Sequence, residues 1–213
     1  MEMTEKLEHV LPSDIEKTSF SIIARELEEK NISLPDDLAP VIMRVIHTTA
    51  DFDYAQSLRF SPNVLEIIKK ALRAGADIVT DTNMALAGIN KKTLAKFGGQ
   101  AHCFMADEDV AKEAKELNLT RAALSMRKAS QIQKPLIFAI GNAPTALVEL
   151  CSLMEKGFRP VAVIGVPVGF VNVVAAKEMI MASGFPYIVN EGRKGGSTVA
   201  AAICNAILYG MKD

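Results

Sequence analysis

The sequence has no tryptophan and few other aromatic residues, which together make up 6% of its 213 residues. Proteins that bind single-stranded nucleic acids stack bases on aromatic side chains, so this class is disfavoured. An excess of charge of one sign is also missing, because 24 basic residues stand against 25 acidic ones, for a formal net charge of −1. The sequence contains no basic arm or stripe of the kind that follows a nucleic-acid phosphate backbone. We therefore expect no nucleic-acid partner.

Long hydrophobic runs are absent as well. The longest uncharged stretches, Pro160–Ala176 and Gly195–Met211, are shorter than a membrane-spanning helix requires. Residues 1–10 lack the apolar core of a signal peptide. The three cysteines show no CxxC spacing and lie among apolar neighbours, as free thiols do in a reducing compartment. We expect a cytoplasmic protein that does not associate with membranes.

What the sequence does contain is a large hydrophobic fraction, 49%, in short apolar runs that alternate with longer amphipathic segments. Continuous apolar runs are typical of strands that are covered on both faces, as in a parallel sheet. The predicted strands are Val41–Ile46, Ala76–Thr80, Ala101–Met105, Leu136–Ile140, Val161–Ile164 and Tyr187–Val189. The predicted helices are Ser13–Lys30, which begins with a Ser13–Glu16 capping box, Asn63–Arg73, Asp107–Leu117, Thr120–Arg127, Pro144–Lys156, Val171–Ser183 and Ser197–Tyr209.

This alternation predicts one α/β domain over residues 1–213, a three-layer α/β/α sandwich with a mainly parallel sheet of five to six strands. In such a sheet, ligands bind beyond the carboxyl ends of the strands. Polar and glycine-rich segments follow the predicted strands at this edge: His47–Asp53, Asp81–Met84, Gly141–Thr145, Gly165–Gly169 and Asn190–Ser197. We therefore expect the functional site there.

His47 directly follows the first predicted strand, and histidine can carry a proton near neutral pH. The residues alone leave three interpretations open. The imidazole is a proton donor, or it closes a strand end by bonding to Asp51 or Asp53, or it binds a metal together with those aspartates. The metal site is the weakest of these, because no second cluster of histidine and carboxylates accompanies it. His102, inside an apolar run, is expected in the core.

The segment Gly192–Ser197 leads into a predicted helix and contains Arg193 and Lys194. Glycines ahead of a helix let backbone amides face outward, and the helix dipole adds positive potential there. A cradle for a carboxylate or a phosphate is one interpretation, and a tight turn is the other. The segment does not match the phosphate-binding loop of nucleotide hydrolases, and no GxGxxG follows the first predicted strand, which disfavours a Rossmann-like nucleotide enzyme.

Three arginines stand out from their surroundings. Arg121 and Arg127 lie in a stretch of small residues that we expect to be buried, and Arg44 lies inside the first predicted strand. A buried arginine needs an anionic partner, either an internal carboxylate or a ligand. The two glycines and the proline of Gly165–Val171 allow a close approach to the backbone, by a flat macrocycle or within a tight turn.

Seven groups of residues form a recognisable set: Ser19–Ile23, Arg44–His47 with Asp51, Asp81–Met84 and Ala87–Ile89, Thr120–Arg121, Gly141–Leu147, Gly165–Val171 and Gly192–Ser197. In combination, these segments resemble the precorrin-8X methylmutase (cobalt-precorrin-8 methylmutase) family of the corrin pathway, from about Ile15 to Met211. The resemblance implies a homodimeric isomerase. It would move a methyl group from C-11 to C-12 of precorrin-8X or cobalt-precorrin-8, giving hydrogenobyrinate or cobyrinate.

The resemblance also implies that His47 is the proton donor and that Ser19 and Arg121 bind substrate. Such a tetrapyrrole carries many carboxylates, which basic side chains and backbone amides would recognise. The complete predicted substrate-binding set is Ser19, Arg44, Thr82, Arg121, Arg193, Lys194, Gly195, Gly196 and Ser197. We expect no cofactor and no metal, since a sigmatropic methyl shift involves no net redox change. A non-catalytic tetrapyrrole carrier is the alternative, which would share the pocket but would not need His47.

Overall fold

A computed structural model describes residues 11–211, and six strands in that range form one sheet. The strands are β1 (Leu58–Phe60), β2 (Asp77–Thr80), β3 (Ala101–His102), β4 (Leu136–Ile140), β5 (Ala162–Gly165) and β6 (Tyr187–Asn190). Their order across the sheet is β1-β6-β5-β4-β2-β3, and every pair is parallel except the antiparallel β1–β6 pair. The predicted mainly parallel sheet is confirmed. The expectation about a signal peptide falls on residues 1–10, outside the described residues.

Helices connect the strands. They are α1 (Ile15–Glu29), α2 (Ala39–Thr49), α3 (Tyr54–Ser57), α4 (Val64–Arg73), α5 (Asn83–Gly88), α6 (Lys91–Lys96), α7 (Glu108–Glu116), α8 (Arg121–Ala129), α9 (Pro144–Glu155), α10 (Val173–Ala182) and α11 (Ser197–Tyr209). None of the helices within residues 11–211 has the length and apolar character needed to span a membrane.

The sheet lies between two layers of helices, which confirms the predicted three-layer sandwich. Alternate strand residues face opposite layers. Ile137 and Ala139 of β4 pack with α4 and α11, whereas Phe138 and Ile140 pack with α8, α9 and α10. On the first side, α2 packs against α11 and α1 packs against α2. The helices α1 and α2 are therefore anchored to the sheet through α11.

The predicted strand Val41–Ile46 is wrong, because these residues form the middle of α2. Val41, Ile42, Val45 and Ile46 are all buried, and their spacing corresponds to one face of a helix. A short apolar run fits a buried helix as well as a buried strand. Pro40, in the first turn of α2, is the local signal for a helix start.

Three smaller differences concern element ends and an edge of the sheet. Strand β1 was not predicted, since it has three residues of which only Leu58 is buried. The predicted strand Ala101–Met105 is reduced to the two residues of β3. The predicted capping box is wrong, because the N-cap of α1 is Asp14 and its side chain makes no capping bond.

The chain order of the strands places a topological switch point between β2 and β4. After β2 the chain adds β3 on one side, and it then crosses to β4 on the other side of β2. At such a switch point the loops that follow the two strands leave the sheet in opposite directions, and a ligand crevice is expected at the carboxyl ends of the strands. The segments after β2, β4, β5 and β6 all meet at this edge, as the sequence predicted.

Candidate active site

Asp81 joins the ends of β2 and β4 at the switch point, where the ligand crevice is expected. It directly follows β2 and is fully buried. Its carboxylate accepts hydrogen bonds from the backbone amides of Gly141 (2.8 Å), Asn142 (2.8 Å) and Ala143 (2.6 Å), which begin the loop after β4. Burial raises the pKa of Asp81, and the three amide bonds oppose that rise only in part. Asp81 therefore holds the start of the loop after β4 against the end of β2. Its sequence context did not reveal this role.

Thr82 and Ser197, two of the predicted binding residues, meet in this crevice. Their hydroxyl oxygens are 2.7 Å apart, and Thr82 also caps α5 by accepting the Ala85 amide. A Cβ atom at Gly141 would lie 2.6 Å from the Ser197 Cα, so only glycine lets α11 begin so close to β4. The first amides of α11 lack intrahelical partners, and this end of the helix lies at the crevice.

The segment Gly192–Ser197, here called the glycine loop, is tightly held. The amide of Gly196 donates to the Val166 carbonyl at 2.9 Å. Gly195 has φ +154°, and a Cβ atom there would lie 2.1 Å from the same carbonyl oxygen. The Lys177 ammonium of α10 donates to the carbonyls of Gly192 and Lys194, both at 2.8 Å. The glycine loop is therefore a firmly held turn, and its geometry is also compatible with binding a carboxylate or a phosphate.

The two basic side chains of the glycine loop differ in their partners. The Lys194 ammonium lies 2.6 Å from carboxylate oxygens of both Asp51 and Asp53. These bonds raise the pKa of Lys194, and the Lys194 bond lowers the pKa of Asp51. Arg193 is exposed, lies over the Phe170 ring at 5.4 Å and forms no ion pair within residues 11–211. A ligand carboxylate would find Arg193 available, whereas it would compete with two aspartates for Lys194.

His47 lies in the last turns of α2 rather than at a strand end. Its imidazole is exposed and stacks on the Phe20 ring of α1, with the ring centroids 5.2 Å apart and an angle of 11° between the planes. No described residue forms a hydrogen bond with its ring nitrogens. His47 and Ser19 line an open depression of about 290 Å³ between α1 and α2. The nitrogens are therefore free to meet a ligand.

The other two interpretations of His47 lose their support. Asp51 and Asp53 are bonded to Lys194 and not to the imidazole. Among residues 11–211, no group of three or more histidine, cysteine, aspartate or glutamate side chains is arranged to hold a metal ion. His102 is half-buried and bonds to Asp77 at 2.9 Å, away from the crevice.

The three arginines have different surroundings. Arg127 is paired with the buried Glu149, at 2.6 and 3.1 Å, so its partner is an internal carboxylate. Arg44 lies on α2, not in a strand, where it pairs with Glu16 and lies 4.7 Å from the centre of the Phe20 ring. Arg121 begins α8 and is exposed, contrary to the expected burial. Within the described residues it has no ion-pair partner.

Arg121 lies at the same edge of the sheet as the crevice. Because α8 leads directly into β4, its first residue is at the carboxyl end of the strands. The Thr120 hydroxyl caps α8 and donates to the Thr145 hydroxyl at 2.8 Å, which joins the start of α8 to the start of α9. Ser19, in contrast, lies on α1 in the depression that it shares with His47, and its hydroxyl donates to the Ile15 carbonyl within that helix.

Known proteins resemble this chain over nearly its whole length. The family model described as precorrin-8X methylmutase matches residues 14–210. Cobalt-precorrin-8 methylmutase of Priestia megaterium is 46% identical over 199 residues, covering 93% of this chain and 88% of that protein. The enzyme of the same name from Salmonella typhimurium is 44% identical over 207 residues, covering 95% and 97%.

A solved structure agrees with these sequence relatives. The structure described as precorrin-8x methyl mutase from Thermus thermophilus matches with a TM-score of 0.83 at 38% identity, covering 92% of this chain and 96% of that one. These similarities favour an enzyme over the non-catalytic carrier that the sequence left open. The chain belongs to the precorrin-8X methylmutase family, and it is an isomerase of corrin biosynthesis.

Proposed function

We propose that this enzyme moves a methyl group from C-11 to C-12 of precorrin-8X or cobalt-precorrin-8, with His47 as the proton donor. The imidazolium protonates the conjugated ring system, which lowers the barrier to migration. The bond from C-11 to the methyl carbon breaks as the bond from C-12 forms. Loss of one proton from the rearranged ring then restores the starting composition, giving hydrogenobyrinate or cobyrinate. No electrons leave the substrate, so the reaction needs no redox cofactor.

The exposed imidazole of His47 carries this proposal. General acid catalysis requires a titratable group that can come within hydrogen-bond distance of the substrate. His47 meets this requirement because its ring is held by stacking on Phe20 while its nitrogens have no partner within residues 11–211. Asp51, four residues further on, is bonded to Lys194, so the end of α2 is joined to the glycine loop. The end of α2, about one helical turn from the proposed proton donor, is therefore tied to the proposed anion cradle.

The carboxylates of the substrate would be bound by charge and by backbone amides. Arg121 and Arg193 supply guanidinium groups that no described carboxylate neutralises. Gly195, Gly196 and Ser197 form the turn into α11, where the helix dipole favours an anion. Charge-assisted bonds of this type are about twice as strong as neutral ones. Ser19, Arg44, Thr82 and Lys194 remain proposed contacts, Lys194 in competition with its aspartates.

The ring face would lie on apolar side chains at the carboxyl edge. Phe170 and Val171, which follow β5, are 80% and 79% exposed, and Met84, which follows β2, is 66% exposed. Contiguous exposed apolar surface rimmed by polar residues marks interaction sites, and Phe170 and Val171 are adjacent in the chain. The depression beside His47 has a volume of about 290 Å³. Ligand pockets usually have volumes of roughly 300–1,000 Å³, so the depression is at the lower limit of this range. We propose that a second copy of the chain completes the pocket in a homodimer, and that the enzyme is cytoplasmic.

Replacement of His47 by alanine tests the proposed mechanism. We expect kcat to fall by about 10²–10⁴-fold, the usual contribution of a general acid, while the product still binds with unchanged affinity. The matched control is His102→Ala, because His102 is also stacked on a phenylalanine, Phe104, at 5.9 Å. Its imidazole contacts Asp77, so the control should lower stability and keep kcat. Full turnover by His47→Ala would remove His47 from the mechanism.

A further inference from the structure

Lys177 is a buried ammonium without a carboxylate. It lies on α10, is 1% exposed, and makes its two hydrogen bonds to the backbone carbonyls of Gly192 and Lys194. No acidic side chain within residues 11–211 is bonded to it. Burial of an unpaired charge is costly, and burial lowers the pKa of Lys177 to about 8. A methionine would fill a similar volume without the free-energy cost of burying a charge. The presence of a lysine at this position therefore requires an explanation.

The bonds from Lys177 determine which way two peptide groups of the glycine loop point. In a trans peptide, the C=O and the following N–H point in opposite directions. The inward carbonyl of Gly192 therefore turns the Arg193 amide outward, and the inward carbonyl of Lys194 does the same for the Gly195 amide. Neither amide donates a hydrogen bond to any residue of the described range.

A second side chain supports the same arrangement. The Asn190 side-chain amide donates to the Lys194 carbonyl at 2.9 Å, and its oxygen accepts from the Ser57 hydroxyl at 2.6 Å. The Lys194 carbonyl thus receives one charged and one neutral hydrogen bond. The Gly192 carbonyl receives only the bond from Lys177 among the described residues. Loss of Lys177 would therefore release the first peptide group of the loop completely and weaken the hold on the second.

We infer that Lys177 is a positioning residue for substrate binding. By drawing the carbonyls of Gly192 and Lys194 inward, it aims the backbone amides of Arg193 and Gly195 at one carboxylate of the corrin substrate. The Arg193 guanidinium, which belongs to the same residue as one of these amides and has no ion-pair partner within residues 11–211, would supply positive charge to the anion site. Lys177 itself touches no substrate. This inference rests on the proposed function, because it assumes that the glycine loop binds a substrate carboxylate.

The variant Lys177→Met tests this role, with Lys134→Met as the matched control. Lys134 also donates to a backbone carbonyl, that of Gly98, and to the buried Asp77 at the other end of the sheet. We expect Lys177→Met to raise KM about tenfold, the equivalent of one charge-assisted hydrogen bond, and to change kcat less than threefold. The control should lose stability without a change in KM. Equal KM for both variants, or a fall in kcat alone, would overturn the inference.

A measurement on the unmodified enzyme covers the case in which Lys177→Met does not fold. Amide hydrogen exchange, resolved by NMR, is followed with and without bound hydrogenobyrinate or cobyrinate. We expect the Arg193 and Gly195 amides to be protected by at least tenfold in the complex. Binding without protection of these two amides would overturn the positioning role and leave the proposed function intact. Failure of the enzyme to bind either product would instead overturn the proposed function, and this inference with it.

Discussion

Two aspartates at opposite ends of β2 are buried to the same degree but are neutralised in different ways. Asp77 and Asp81 are 2% and 0% exposed. Asp77, at the amino end, accepts bonds from Lys134 at 2.5 Å and His102 at 2.9 Å, together with the Gln100 amide. Asp81, at the carboxyl end, accepts hydrogen bonds from three backbone amides and from no side chain of the described range.

The difference appears in their pKa values. Burial is the largest influence on both residues and raises the pKa of each. At Asp77 the bonds from Lys134, His102 and Gln100 together outweigh burial, so the pKa is lowered, whereas at Asp81 burial prevails and the pKa is raised. At the amino edge, the side chains of Lys134 and His102 are therefore bonded to Asp77 within the protein. At the carboxyl edge, backbone amides bond to Asp81 and hold the loops together. Arg121 and Arg193 have no ion-pair partners there among the described residues.

The largest expected effect comes from replacing each aspartate by asparagine. Asp81→Asn places an NH₂ group against backbone amides that need an acceptor, and we expect a loss of about 3 kcal/mol in the free energy of unfolding. Asp77→Asn retains an acceptor oxygen, and its cationic partners can reach solvent, so about 1 kcal/mol is expected. Urea denaturation measures both values. Only Asp81→Asn should also reduce turnover. A larger loss for Asp77→Asn would contradict the distinction between the two edges.

The pH dependence of stability separates the same two residues with a smaller effect. Asp77 has a lowered folded pKa, so its stabilisation is complete above the unfolded value of about 3.9 and is lost as the pH falls below it. Asp81 has a raised folded pKa, so its ionisation destabilises the folded state. That penalty is relieved as the pH falls from above the folded pKa towards about 3.9.

The change in unfolding free energy over each pH range can be measured by comparing the wild type with the matching asparagine variant. As the pH falls towards about 4, the wild type should gain stability relative to Asp81→Asn. Below about 4 it should lose stability relative to Asp77→Asn. Unfolding free energies from urea titrations at several pH values provide the test. Parallel curves for wild type and both variants would show that neither carboxyl group has a shifted pKa.

The smallest expected effect concerns Asp53, whose side chain is 74% exposed and paired with Lys194. Exposed pairs contribute about 0.2–1 kcal/mol, so Asp53→Asn should change stability little. It would partly free the Lys194 ammonium for a substrate carboxylate. We therefore expect product affinity to increase by up to about fivefold, as measured by absorbance titration. Weaker product binding would show that Lys194 serves to hold the loop and does not bind the ligand.

The sequence was sufficient to predict the parallel sheet and the edge at which the polar and glycine-rich loops meet. Five strands were found because buried parallel strands are continuous apolar runs between glycine-containing turns. The helix α2 was missed because Val41–Ile46 is too short for periodicity to separate helix from strand. The single domain over residues 1–213 stays a prediction.

The partners of individual side chains could not be predicted in the same way. Asp53 and Lys194 are far apart in the chain and meet only in the folded protein. The charge pattern of Arg121–Arg127 likewise gave no indication that one arginine is exposed and the other paired with Glu149. Residue type and local spacing predict where polar groups collect. Which cation remains available to a ligand depends on tertiary packing.

The way in which Phe20 holds His47 has a consequence for repeated turnover. Stacking fixes the imidazole through its faces, and both nitrogens lie at the rim of the ring. A histidine oriented by a hydrogen bond through one nitrogen has only the other nitrogen left for proton transfer. In the proposed mechanism, water would reprotonate the ring between cycles without disturbing the Phe20 contact that orients it, so return of the proton would be independent of the alignment of the imidazole.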